Sequence, residues 1–186
     1  MTDDQLASKA RLAQATGIAI ELLRGASQLE DVAEAVLERL AHAARCEWAA
    51  YWVVDPQARA LRPVASWSGL GPQGQPFDRE TRVCIPFTNQ GNAAKVWRSR
   101  KPIWTANLVL DMGLPRSLRA AAAGLRGGMW FAVKTDTALY GVVELLAREL
   151  PSITTETLVA IERVGSRLGY VIEERRSERP SRLHLH

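Results

Sequence analysis

The chain has 186 residues, of which 47% are hydrophobic and 24% are charged, and its formal net charge is +4. This length allows one well-buried core, and the composition excludes a disordered or fibrous protein. No apolar run approaches the ~18 residues of a membrane-spanning helix. The start, MTDDQLASKARLAQ, lacks the apolar segment of a secretory signal. Since Cys46 and Cys84 are too few for a disulfide framework, we expect a cytoplasmic protein without membrane contact.

The first quarter of the chain has the periodicity of two helices. Apolar residues recur at three- and four-residue spacing over Asp3–Gly25, and the closing glycine suits the end of a helix. Ser27 and Glu30 form the pattern of a capping box, which predicts a second helix that ends near Arg45.

Strands are predicted next, at Glu47–Val54 and Leu61–Ser68. The residues DPQA between them have turn chemistry. The stretch Gly69–Pro76 is rich in glycine and proline and predicts a loop. A third strand is expected around Arg82–Pro86.

The most informative stretch is GNAAKVWRSRKPIWTANL and the segments that follow it. It predicts a short helix to about Arg98 and a short strand at Ile103–Ala106, and Pro115 suits the first residue of another helix. The segments GLRGGMWFAV and LYGVVELL predict a hairpin. A long helix should then end near Glu178.

This order of elements, with the motifs GNAAKVW, GLRGGMWFAV and LYGVVELL, resembles the GAF domain family over about Leu29–Ile172. The resemblance implies an α+β fold of the PAS/GAF type. Its antiparallel five- or six-stranded sheet should carry the terminal helices on one face and short helices over a pocket on the other. It also implies a dimerisation or linker helix at 1–26, the domain at 27–172, and the end of a signalling helix with a tail at 173–186.

The family resemblance implies a bacterial sensory domain that binds a small ligand, forms a homodimer, or both, and signals to an effector domain or partner protein. The alternative is an interaction module without a ligand. The histidines His42, His184 and His186 form no paired motif, and no Cys-x-x-Cys or phosphate loop occurs, so we expect no enzyme. A redox-active enzyme using Cys84 is the weaker alternative.

A basic cluster closes the short helix, and its four cations have no acid between them. Such a cluster could contact nucleic-acid phosphates or an acidic partner domain, but a solvated helix end is the favoured explanation, and no nucleic-acid motif accompanies the cluster. We therefore expect no nucleic-acid partner. The cluster comprises Lys95, Arg98, Arg100 and Lys101.

Tryptophans are concentrated on the segments that would surround a GAF pocket. Aromatic walls suit a planar or apolar ligand, although the same side chains could simply fill the core. Met129 and Trp130 are neighbours on a strand, so only one of them can face the pocket. The predicted ligand-binding residues are Trp67, Cys84, Trp97, Trp104, Asp111, Arg116, Met129 and Trp130.

The sequence predicts no metal and no cofactor other than an unidentified small molecule. Phytochrome-like GAF domains carry a cysteine near the place that Pro115-Arg116 occupies here, which argues against a covalent bilin. Cyclic nucleotides, tetrapyrroles and small aromatic metabolites all remain open as ligands.

The last helix carries a short heptad seam beside further valines, which makes its apolar face wider than one partner requires. We therefore predict a homodimer through the first and last helices. The predicted interface residues are Leu158, Ile161, Leu168 and Ile172.

Overall fold

A computed structural model describes residues 3–55, 57–82, 85–86, 91–108, 116–150 and 153–178. Within these residues the chain has an α+β fold around one antiparallel sheet, as the sequence predicts. The helices are α1 Asp3–Gly25, α2 Glu30–Ala44, α3 Gln75–Thr81, α4 Asn92–Ser99, α5 Arg116–Ala122 and α6 Thr155–Glu178. The strands are β1 Trp48–Asp55, β2 Ala60–Ser68, β3 Ile85–Pro86, β4 Ile103–Thr105, β5 Gly127–Lys134 and β6 Leu139–Ala147.

The described strands form a six-stranded sheet in the order β3-β2-β1-β6-β5-β4. Hairpins β1–β2 and β5–β6 lie side by side, joined by the antiparallel pair β1–β6. In the first turn, Oδ1 of Asp55 accepts hydrogen bonds from the backbone N–H groups of Gln57 (2.9 Å) and Ala58 (3.0 Å). This Asx geometry explains why the DPQA segment reverses the chain.

Alternation along the strands gives the sheet two apolar faces. One face packs against α2 and α6, on which α1 lies in turn, and we call it the helix-side face. The other face packs against α3, α4 and α5, and we call it the front face. Because both faces are covered, the strands β5 and β6 are buried over almost their whole length.

Helix α6 approaches the sheet closely at two glycines. A Cβ atom on Gly165 would stand 2.0 Å from the carbonyl oxygen of Ala132, and one on Gly169 would stand 2.1 Å from that of Lys134. Only glycine fits at this separation, since real side chains never approach backbone atoms so closely. The two glycines therefore set the distance between α6 and β5.

Two boundaries differ from the sequence predictions. The stretch Gly69–Pro76 is not simply a loop, because it contains a 3₁₀ turn at Pro72–Gly74 and the start of α3. Both segments carry proline in their first turn, where the missing N–H removes no helical hydrogen bond, and Phe77 anchors α3 in the core. Helix α2 begins at Glu30, with no side-chain hydrogen bond from its N-cap residue. Pro115 lies outside the described residues.

Candidate functional site

The middle of the front face is lined by aromatic side chains from two elements. Trp48 and Trp52 are four residues apart in β1, so both side chains point to this face, and Phe77 of α3 packs on them. The rings of Trp48 and Phe77 meet edge to face with centroids 4.9 Å apart. All three side chains are buried. The described part of the front face is therefore filled largely by the protein's own aromatic rings.

A charged pair lies within this aromatic cluster. The guanidinium of Arg116, the first residue of α5, donates from Nη1 to Oε1 of Glu144 (3.1 Å) and from Nη2 to Oε2 (2.9 Å). Its Nε donates to Oγ1 of Thr81 at 3.1 Å. Glu144 lies in β6 between Ala50 and Trp130 on the neighbouring strands and is 0% exposed. The ion pair thus joins the helical layer to the centre of the sheet.

Indole groups complete the polar contacts. Nε1 of Trp52 donates to Oε2 of Glu144 at 2.8 Å, and Nε1 of Trp48 donates to Oδ1 of Asp78 at 2.7 Å. The guanidinium carbon of Arg116 lies 4.9 to 5.3 Å from the ring centroids of Trp48, Trp52 and Phe77, within cation–π range. We call this set the front-face centre: Trp48, Trp52, Phe77, Asp78, Thr81, Arg116 and Glu144.

The chemistry of the front-face centre is that of binding and orientation. The carboxylate of Glu144 is neutralised by the guanidinium of Arg116, which also lies against three aromatic rings, and the named members of the centre include neither histidine nor cysteine. Such a set can hold a planar or charged group in a fixed position. Among the described residues, no group of three or more His, Cys, Asp or Glu side chains could hold a metal ion.

The structure places three predicted ligand-binding residues on the front face. Arg116 belongs to the front-face centre, Trp130 is buried on the same face, and Trp97 of α4 is partly buried there. Trp97 also lines a cleft between the two hairpins. Cys84 and Asp111 lie outside the described residues.

The other three predicted ligand-binding residues do not share that face. Trp67 and Met129 belong to the helix-side core, because each occupies a strand position whose side chain points away from the front face. Trp67 packs edge to face on the ring of His42 at 4.9 Å. Trp104 pairs with Met129 on the edge strand β4 and is 37% exposed. These three residues therefore cannot line a pocket with Trp130.

Sequence reasoning missed most of the front-face centre. One available signal is Glu144, a lone acid in the apolar strand LYGVVELLA, because a carboxylate is seldom buried without a partner. A second signal is the spacing of Trp48 and Trp52, since residues four apart in a strand lie on the same face. The partner of Glu144 could not be predicted from the sequence, since Arg116 is 28 residues away and no pattern around it indicates a buried ion pair.

The predicted dimer seam lies inside the monomer. Ile161, Leu168 and Ile172 are buried in the helix-side core, and Leu158 is half-buried. The seam faces this way because the glycines of α6 bring that side of the helix onto β5. The buried three cannot contact a second subunit while they remain in this core.

The sequence model of the GAF domain matches residues 26–176. The chain belongs to the GAF domain family. Its sheet, with helices packed on both faces, is the arrangement that the family resemblance implies. A comparison with curated protein sequences found no match.

Solved GAF structures have the same fold. The GAF domain of a phosphoenolpyruvate-protein phosphotransferase from Coxiella burnetii is 15% identical, with a TM-score of 0.70 over 91% of this chain and 97% of that one. The GAF domain of nlh2 from A. aeolicus, in an inactive state, is 16% identical, with a TM-score of 0.67 over 90% and 99%. At these identities the likeness concerns the fold.

An enzyme also has this fold. The free methionine-R-sulfoxide reductase from Neisseria meningitidis, solved with its substrate, is 14% identical to this GAF domain. The TM-score is 0.69 over 96% of this chain and 95% of that one. Regulatory and catalytic proteins therefore both occur among similar structures. No described helix combines the length and apolarity needed to cross a bilayer.

Proposed function

We propose that this GAF domain is a non-enzymatic regulatory module that binds a small ligand at its front-face centre. The observation that supports the proposal is the ion pair between Arg116 and Glu144, buried among aromatic rings. A buried ion pair is often no more stabilising than apolar residues of the same volume, so a role in folding alone does not account for it. Sites that bind small molecules combine apolar or aromatic walls with a few precisely placed polar groups, and the front-face centre has both.

The position of Arg116 supplies a route from ligand to conformation. Its side chain bonds to Glu144 in the sheet and to Thr81 at the end of α3, while its backbone begins α5. A ligand that takes over part of this bonding changes how α3 and α5 lie on the sheet. Since these two helices also pack on each other, they should move together.

A ligand screen with two variants tests this function. Wild type and Arg116→Lys are screened by thermal shift against nucleotides, tetrapyrroles and small aromatic acids, with Leu118→Ala as the control. Arg116→Lys keeps the charge but loses the bidentate geometry, while Leu118 is exposed on the same helix. We expect a ligand that stabilises the wild type and the control but shifts the variant much less. At a hundred times its dissociation constant, such a ligand adds ~2.7 kcal/mol.

Two results would contradict the proposal. One is that no compound raises the melting temperature of the wild type. The other is an equal rise in wild type and in Arg116→Lys, with circular dichroism showing that both are folded. Incubation with free methionine sulfoxide and a thiol reductant tests the enzymatic alternative, and we expect the substrate to be recovered unchanged.

We also propose that the domain acts in the bacterial cytosol as a homodimer and passes its signal to an effector domain or partner protein. The support is that both terminal helices expose large apolar side chains, which on a folded domain commonly mark an interaction surface. The dimer could form without any ligand, which is the second candidate function. These exposed residues are Leu6 and Ile18 on α1 and Val159 and Tyr170 on α6.

A further inference from the structure

The two hairpins of the sheet separate at one end. Strand β1 pairs with β6 only as far as Trp52 and Val142. Beyond that point, Val53, Val54 and Asp55 pair with β2 alone, while the first residues of β6 pair with β5 alone. The sheet is therefore split between its two hairpins.

Each hairpin carries an irregularity in its pairing close to the split. In β2, Pro63 and Ala65 pair with successive residues of β1, which leaves Val64 between them without a partner. In β6, Leu139 and Gly141 pair with successive residues of β5, which leaves Tyr140 unpartnered in the same way. Bulges of this kind re-aim side chains beside functional sites. Both bulged residues, Val64 and Tyr140, line one cleft.

This hairpin cleft has a volume of about 610 Å³. Its walls are mostly aliphatic side chains of β1, α2 and α6, with Trp97 on the side of α4. Pockets that hold small molecules are typically ~300–1,000 Å³, largely apolar and furnished with a few polar groups. The cleft has the size and the lining of such a pocket, and it is distinct from the front-face centre because it shares no residue with it.

The polar groups of the hairpin cleft favour an anion. Its charged lining residues are Arg62, Arg176 and Glu30, which leaves one excess positive charge. The guanidinium of Arg176 lies over the ring of Tyr140, 5.0 Å from its centroid, and the hydroxyl of Tyr140 donates to Glu173 at 3.0 Å. Burial raises the pKa of Tyr51, although Arg176 opposes the shift, so this phenol stays protonated at neutral pH and can donate a hydrogen bond.

We propose that the hairpin cleft binds a small amphiphilic carboxylate, with its apolar body between the hairpins and its carboxylate on Arg176. The guanidinium supplies a bidentate partner for a carboxylate, which Lys or a neutral side chain would not match. The hydroxyl of Tyr51 is the second donor. A cationic or doubly charged ligand does not suit this balance of charges and apolar walls.

The ligand in this position would contact the last helix directly. Leu168, Ile172 and Arg176 line the cleft at successive spacings of four, so they form one stripe of α6. The same end of α6 is tied to α1 by the ion pair of Glu174 with Arg24 at 3.4 Å. Binding should therefore stabilise the final turns of α6, the part of the domain that the family resemblance assigns to signalling.

Calorimetric titration of the full chain with decanoate tests the proposal. We expect one decanoate to bind per chain, and decanol, which has the same body without the charge, to bind at least about tenfold more weakly. Arg176→Gln should weaken the binding of decanoate by about the same factor of ten. Arg163→Gln is the matched control, because Arg163 is exposed on the same helix and does not line the cleft. Amide hydrogen exchange near residues 168–178 should slow when decanoate is bound.

A second set of variants tests the location. Ala33→Phe places a ring in the cleft from α2 and should abolish decanoate binding. If this variant does not fold, Val64→Phe, which places a ring in the cleft from β2, replaces it in the experiment. The proposal is overturned if decanoate fails to bind at millimolar concentration, if decanol binds equally well, or if the cleft variants bind like the wild type. These outcomes leave the front-face centre untouched, because the Arg116→Lys screen reads a different site.

Discussion

Arg116 and Glu144 join α5 to the middle of the sheet through two hydrogen bonds of 3.1 and 2.9 Å. Their side chains are only 11% and 1% exposed. Glu144 also accepts the indole N–H of Trp52, so both of its oxygens have partners inside the protein. This arrangement satisfies the charge that the sheet buries, and it makes each member of the pair depend on the other.

Removing one member of this pair should be more harmful than removing both. We expect Glu144→Leu or Arg116→Met to lower the free energy of unfolding by ~3–5 kcal/mol, because each leaves a buried charge uncompensated. The double variant Arg116→Met with Glu144→Leu should lose less stability than either single variant, because it leaves no buried charge unpaired. Urea unfolding of all four proteins measures the coupling. If the single variants each lose under ~1 kcal/mol, the pair is not energetically coupled as described.

Gly165 should not tolerate a methyl group, whereas Gly17 should. A Cβ atom at Gly165 meets the backbone of β5, so Gly165→Ala forces α6 away from the sheet and should cost ~1–3 kcal/mol. At Gly17, in the middle of α1, no atom lies within 4 Å of the added Cβ. Gly17→Ala should therefore raise stability by ~0.5–1 kcal/mol through helix propensity. Thermal unfolding distinguishes the two, and equal changes would contradict the close approach of α6.

The homodimer should depend on the exposed side of α6 and not on its buried seam. Val159 and Tyr170 are 43% and 48% exposed and lie on one side of the helix, eleven residues apart. Val159→Glu should convert dimers into folded monomers, as seen by light scattering, with Leu118→Glu on the front face as the control. Leu168→Glu should instead unfold the domain, because its side chain is buried in the helix-side core. A monomeric wild type at tens of micromolar, which is roughly the range of weak dimers, would remove the dimer proposal.

Alkaline pH should destabilise the domain through Cys46. Burial raises the pKa of this thiol, and the neighbouring Glu47 raises it further, so the folded state keeps the proton that the unfolded state releases above ~8.5. The free energy of unfolding should therefore fall as pH rises beyond that value. Burial raises the pKa of Tyr51 too, and its contribution should begin near ~10.

Urea unfolding between pH 7 and 9.5 measures this dependence, in a Cys84→Ser background that leaves one thiol. Cys46→Ala in the same background should show a flatter profile over this range. Iodoacetamide should modify Cys46 at neutral pH only after unfolding. Rapid modification of the folded protein would show that the thiol is accessible.

Local patterns in the sequence were sufficient for much of the fold. The DPQA turn, the hairpin of β5 and β6 and the long last helix follow from turn chemistry and from periods of two and 3.6 residues, all of which act between near neighbours. The resemblance to GAF domains supplied the two-faced sheet. The helix α3 was missed because the glycines and prolines of residues 69–76 indicate a loop, whereas the contacts that hold the helix, such as the burial of Phe77 against Trp48, join residues distant in the chain.

The assignment of side chains to a face needed the folded chain. Alternation predicts that Met129 and Trp130 point opposite ways, but not which of them faces the terminal helices. That choice depends on how α2 and α6 pack on the sheet, and the glycines of α6 settle it by bringing the buried seam onto β5. The meeting of Arg116 with Glu144 and the separation of the hairpins likewise join residues distant in the chain. Patterns between neighbouring residues cannot predict such contacts, because the contacts form only when the whole core packs.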